Sequence, residues 1–144
     1  NPYWTVKQVL VVKKDSDATP EKALADGAKL GVQRGTSEAK WIEENLIKKE
    51  GKKFELVYYD SAPLAVEDVL NGRILSAAMD DAPARDAVAK KPVKIIGGFG
   101  MPDEEFGYAV RKEDTELLGK LNAGLKKIMA SPTWEELKKK YELK

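Results

Sequence analysis

The sequence predicts an α/β fold with a mainly parallel sheet flanked by helices, followed by a C-terminal helical segment. Between Val6 and Val110, short apolar, β-branched runs alternate with helical stretches through short loops, the pattern of βαβ units covered on both faces. After Val110 that alternation stops, and Leu117, Leu118, Leu121, Leu125, Ile128 and Met129 recur at helical spacing. The 144 residues, 42% hydrophobic and 34% charged, suffice for one globular unit with its own core.

Each element has a local cause. Val6 to Val12 reads as a strand running into the polar turn Lys13 to Asp17. Thr19-Pro20-Glu21 supplies an N-cap, an N1 proline and an acidic first turn for a short helix that Gly27 stops. Leu30 to Gln33 is the next strand. A helix begins at or just after Thr36, with Trp41, Ile42, Leu46 and Ile47 on one face and Gly51 past its end. Phe54 to Tyr59 is a strand, and Ser61-Ala62-Pro63 opens a helix with Leu64, Val66, Val69 and Leu70 inward, closed by Asn71-Gly72. Ile74 to Met79, a helix capped by Asp80-Asp81-Ala82-Pro83 and running through Val88, and Val93 to Ile96 repeat the unit. Gly97 to Pro102 is a loop, Phe106 to Val110 a strand, and Ser131-Pro132-Thr133 separates the last two helices, the second carrying Trp134, Leu137 and Tyr141. These two helical stripes need a surface to cover them: a second copy, or the sheet.

Composition narrows the chemistry. There is no histidine and no cysteine, which excludes Ser-His-Asp triads, thiol nucleophiles, thiolate or imidazole metal sites and disulfides. Twenty-five Lys+Arg against 24 Asp+Glu leave a net charge of +1 with both signs interspersed, a poor field for nucleic acid. No run approaches the roughly 20 apolar residues that cross a bilayer, and no basic-then-apolar leader opens the sequence. No Walker A or dinucleotide glycine pattern is present, and no cofactor or metal is expected.

Two strand-to-helix junctions remain. Gly35-Thr36-Ser37 places amides and a hydroxyl at a helix start, where a carboxylate or phosphate is favoured; the same residues also read as a tight turn with an N-cap. Asp80-Asp81 lies on the same predicted carboxyl edge of the sheet, where open α/β sheets hold ligands. One of these aspartates is expected to cap the helix, leaving the other for a ligand ammonium; a divalent cation would need a third carboxylate that the sequence does not place there. Trp4, Trp41, Trp134 and Tyr58-Tyr59 read as packing residues.

The order of Asn1-Pro2-Tyr3, the strand ending Val11-Val-Lys-Lys-Asp-Ser, Leu30-Gly-Val-Gln-Arg-Gly-Thr, Asn71-Gly-Arg, Asp81 and Phe106-Gly-Tyr-Ala-Val-Arg-Lys resembles the family-3 extracellular solute-binding proteins. These are the polar amino-acid receptors of ABC importers, and the resemblance runs through the Leu121-Asn122 helix to Trp134 and Tyr141. It implies a lobe of the type II periplasmic-binding-protein kind, in which two α/β lobes close over an amino acid. By the resemblance residues 1–5 enter through a hinge, 6–104 form the second lobe, 105–110 return through a hinge strand, and 111–144 belong to a first lobe whose N-terminal part is absent.

The same resemblance carries roles one residue at a time. Thr36, with the amides of Thr36 and Ser37 behind Gly35, matches the receiver of the ligand α-carboxylate; Gln33 matches a side-chain contact; Asp81 matches the aspartate that pairs with the α-ammonium. Asp80 would favour a basic side chain, and Ser76 stands at a structural position where the family usually has Asp. The implied function is an extracytoplasmic, non-catalytic amino-acid receptor that works with a membrane permease. The alternatives are a dehydratase-like enzyme using Asp80, Asp81 or Glu104 as acid or base, and a ligand-sensing receptor module. A homodimer through the C-terminal helices is expected as one way to cover their stripes.

Overall fold

The computed structural model describes residues 1–141 and 143, and the chain divides into two compact units, one of Asn1–Val6 with Glu104–Lys144 and one of Lys7–Asp103. The larger unit is built on a five-stranded sheet of β2 (Gln8–Lys13), β3 (Lys29–Gln33), β4 (Glu55–Tyr59), β5 (Ser76–Asp80) and β6 (Val93–Gly97), in the order β4-β3-β5-β2-β6. β3 pairs in parallel with β4 and β5, while β2 runs antiparallel to β5 and β6. Four strands therefore share one direction, and β2 opposes them.

Side-chain alternation splits the core in two. Leu10, Leu30, Val32 and Ala78 face one side, beneath Ala23 of α1 (Pro20–Ala23), Ala39 of α2 (Ser37–Trp41) and Ile42 and Leu46 of its continuation, with Phe54 and Phe99. Val11, Ala77 and Met79 face the other, beneath Ala65, Val66 and Val69 of α3 (Ala62–Leu70) and Ala84 of α4 (Asp81–Lys90). Complete burial of a residue such as Leu30 or Ile42 stabilises the unit by about 1.5–3 kcal/mol before cavity effects.

The helix starts follow their caps. The Thr19 and Ser61 hydroxyls accept from the amides of Lys22 and Leu64, with Pro20 and Pro63 in the first turns. After Trp41 the helix widens: Ile42–Lys49 is π-helical, and the Glu50 amide bonds to the Asn45 carbonyl five residues back. Nothing in the sequence signalled that change. On α3 Val66 and Val69 are buried as expected and Leu70 packs against the same cluster, but Ala65 takes the inward place expected of Leu64, which is 51% exposed.

The smaller unit pairs β1 (Pro2–Val6) antiparallel with β7 (Glu104–Gly107) and adds α5 (Thr115–Met129) and α6 (Pro132–Lys140). The strand expected over Val6 to Val12 is thus two strands that part at Lys7 and belong to different units. The strand expected at Phe106 to Val110 begins earlier, at Glu104, because its partners are Thr5 and Val6, and it ends before the exposed Tyr108. Tyr3 stacks on Tyr108 with ring centroids 5.1 Å apart, and the N-terminal ammonium donates to Asn122 Oδ1 at 3.0 Å. Leu125 is buried, whereas Leu117, Leu118, Ile128 and Met129 are exposed.

Candidate functional site

β3 delivers Gln33 to the carboxyl edge of the sheet beside Tyr59, its register partner on β4. The chain then turns through Gly35, whose φ of +76° is a conformation that side-chain-bearing residues seldom adopt; space does not demand glycine there. Thr36 is extended, with φ −94° and ψ 160°, and caps α2 by accepting from the Ala39 amide at 3.4 Å. Its hydroxyl donates its one proton to the Gln33 carbonyl at 2.7 Å. The hydroxyl is therefore engaged in building the turn, and an anion at this helix start would be received by backbone amides and the helix dipole. Glu38 in the first turn is buried, a position the dipole favours and one the sequence reading passed over.

β5, parallel to β3, carries Asp80 to the same edge, and α4 starts there with Asp81. Neither aspartate caps α4 as expected. Asp80 occupies the cap position without a side-chain bond to the helix; its Oδ1 accepts from Gln8 Nε2 at 2.6 Å, across the antiparallel pairing of Gln8 with Asp80. The Asp81 amide donates to the Lys7 carbonyl at 2.9 Å, and its Oδ2 accepts from Arg85 Nη1 at 2.8 Å, one turn along the helix. The Asp81 and Arg85 side chains are 16% and 26% exposed. Gln8, a buried residue, and Arg85 escaped the sequence reading, although the i,i+4 spacing of Asp81 and Arg85 was there to be found.

Parallel register thus brings Gln33, Gly35, Thr36, Ser37, Asp80 and Asp81 to one edge of one sheet. Among the described residues no group of three or more His, Cys, Asp or Glu could hold a metal ion. Behind the edge, Tyr59 packs in the core through its ring and donates to Asp68 Oδ2 at 2.8 Å, while Arg73 donates to the other oxygen at 3.2 Å. Burial first, then the bond to Asp68 and the charge of that carboxylate, push the Tyr59 phenol up from 10.0 to about 12. An open groove of about 740 Å³ lies elsewhere on this unit, floored by Leu24, Trp41, Leu46 and Phe99, and contains none of the six candidate residues. Trp41 and Phe99 pack there with centroids 6.0 Å apart, and Ser76 is fully buried in β5.

The whole chain, residues 1–144, matches the model of the bacterial extracellular solute-binding proteins, family 3. The histidine-binding periplasmic protein of Salmonella typhimurium is 35% identical over 140 residues, which are 92% of this chain and 53% of that protein. The ABC transporter arginine-binding protein 1 of Escherichia coli is 29% identical over 143 residues, 94% of this chain and 55% of the relative. Among solved structures, holo ArgBP from T. maritima superposes with a TM-score of 0.71 at 33% identity, covering 98% of this chain and 60% of that one. An ancestral amino acid-binding protein, a precursor of cyclohexadienyl dehydratase, gives a TM-score of 0.80 at 27% identity, covering 98% and 59%. The chain spans about half the length of the curated relatives it matches.

Proposed function

The chain belongs to the bacterial extracellular solute-binding proteins of family 3, and on that premise we propose that it binds a polar, basic amino acid as part of the receptor of an ABC importer outside the cytoplasm. The observation that carries this reading is the convergence of Gln33, the Thr36 helix start and Asp81 on one sheet edge: a hydrogen-bonding side chain, an anion-favouring set of amides and a carboxylate. These are the groups an α-amino acid needs for its side chain, its carboxylate and its ammonium. Asp80 adds a second negative charge, which suits a basic side chain, and the histidine- and arginine-binding names of the relatives support the same class.

In this reading residues 6–104 are the second lobe, 1–5 and 105–110 are the hinge segments, and 111–144 contribute to a first lobe. Closure of two lobes over the solute shifts the population toward the form a membrane permease accepts. The likeness to a dehydratase precursor favours one rival reading, an enzyme on this scaffold, and incubation with a prephenate-like acid separates the two: the receptor reading expects no turnover. A homodimer through α5 and α6 has the exposed Leu117, Leu118, Ile128 and Met129 in its favour, and a light-scattering mass of one chain would refute it.

The test is an amide NMR titration of the chain with arginine, histidine, lysine, glutamine and glutamate at millimolar concentration. Shifts centred on Gln33, Thr36, Ser37 and Asp81, larger for the basic ligands, are the expected outcome. Saturating ligand that leaves those four amides unmoved would overturn the proposal.

A further inference from the structure

Arg85 holds the carboxylate that the proposed function assigns to the ligand ammonium, and the manner of the contact is informative. Its Nη1 donates to Asp81 Oδ2 at 2.8 Å across one helical turn. The Asp81 Oδ1 and the Arg85 Nε and Nη2 are covered, and no hydrogen-bond partner meets them among the described residues. A guanidinium has five N–H donors in a fixed fork. Here one nitrogen is satisfied and two are buried without acceptors, an arrangement that is costly to keep. The side chain is 26% exposed, at atoms other than Nε and Nη2. An ammonium is a compact cation with three rotatable donors, whereas the guanidinium is a fixed fork of which Asp81 meets one nitrogen.

We propose that Arg85 is an internal stand-in for the ligand ammonium: it neutralises Asp81 while the site is empty and yields the carboxylate when an amino acid arrives. The inference rests on the assignment of Asp81 to the ligand. It makes Arg85 a residue that sets affinity for α-ammonium compounds alone, since a ligand without that group has nothing to exchange with it.

Two ligands and two chains test this: arginine and its analogue lacking the α-amino group, δ-guanidinovaleric acid, titrated by NMR into the wild-type chain and into Arg85→Met. Arginine is expected to bind Arg85→Met about two- to fivefold tighter than wild type, as loss of a competing partly exposed ion pair implies. The analogue is expected to bind both chains alike, and Arg85→Lys, which keeps a competing cation, to stay near wild type. In the wild-type chain the Arg85 Nε–H signal should move with the Thr36 amide, and with the same midpoint, for arginine but not for the analogue; this measurement decides if Arg85→Met fails to fold. Unchanged or weaker arginine binding to Arg85→Met, or an Nε–H signal that stays still while Thr36 moves, overturns the stand-in and leaves the receptor reading intact. A Thr36 amide that neither ligand moves in either chain removes both.

Discussion

The two units solve the burial problem differently. In the unit of Lys7–Asp103 a sheet is covered on both faces, and among the described residues the largest fully buried side chains, from Leu10 to Met79, lie there. Among the described residues the other unit has Val6 and Leu125 as its buried apolar residues and leaves Phe106, Tyr108, Leu117, Leu118, Ile128, Met129 and Tyr141 exposed. The first unit buries its apolar side chains within itself; the second presents amphipathic helices whose apolar faces no other part of this chain covers among the described residues. Stability should therefore respond to mutation in one unit and scarcely in the other.

The largest effect is expected from Leu30→Ala, which empties a fully buried position: a loss of about 3–5 kcal/mol in chemical denaturation. A loss below about 1 kcal/mol would mean that the two-faced core is not what holds this unit. Next is Gly31→Ala. A Cβ on Gly31 would lie 2.6 Å from Ile74 Cδ1 and 3.0 Å from the Tyr59 ring, so overpacking should cost about 1–3 kcal/mol, with partial recovery in the double variant with Ile74→Val.

Tyr59→Phe comes third, at about 1 kcal/mol for the lost bond to Asp68. Because the folded-state pKa is raised, the stability tied to the neutral phenol is complete below pH 10.0 and disappears as the pH climbs toward about 12. Melting curves taken between those limits should show a decline in wild type that Tyr59→Phe lacks. The smallest effect belongs to the second unit: Leu117→Ala, at a position 47% exposed, should move the denaturation midpoint by no more than about 0.5 kcal/mol. A larger loss would mean that something covers α5 in solution, and the difference between the units would narrow.

What could be read from residues alone follows the range of the interactions. Caps act over three or four residues, so Thr19, Thr36 and Ser61 announced their helices correctly. Strand direction is decided by partners distant in sequence; the opposed course of β2 and its break from β1 at Lys7 have no local signature. The same applies to Asp80, whose partner Gln8 is 72 residues away. One of Asp80 and Asp81 was expected to cap the helix start, because capping is the commonest use of such a pair; here a cross-strand amide and a helix-borne guanidinium engage the two carboxylates instead.

The antiparallel course of β2 has a kinetic corollary. β2, the first strand of the Lys7–Asp103 unit, lies beside β6, its last, with Leu10 opposite Gly97, so folding of this contiguous stretch brings its two ends together. β1 and β7, which pair Val6 with Glu104, are separated in the chain by that entire stretch. Closing so long a loop in an unfolded chain carries a large entropic penalty, and the prior folding of the inserted stretch removes most of it. The topology therefore favours one order of assembly: the insert first and the split unit after, with the discontinuous pair zipping on a scaffold that already stands.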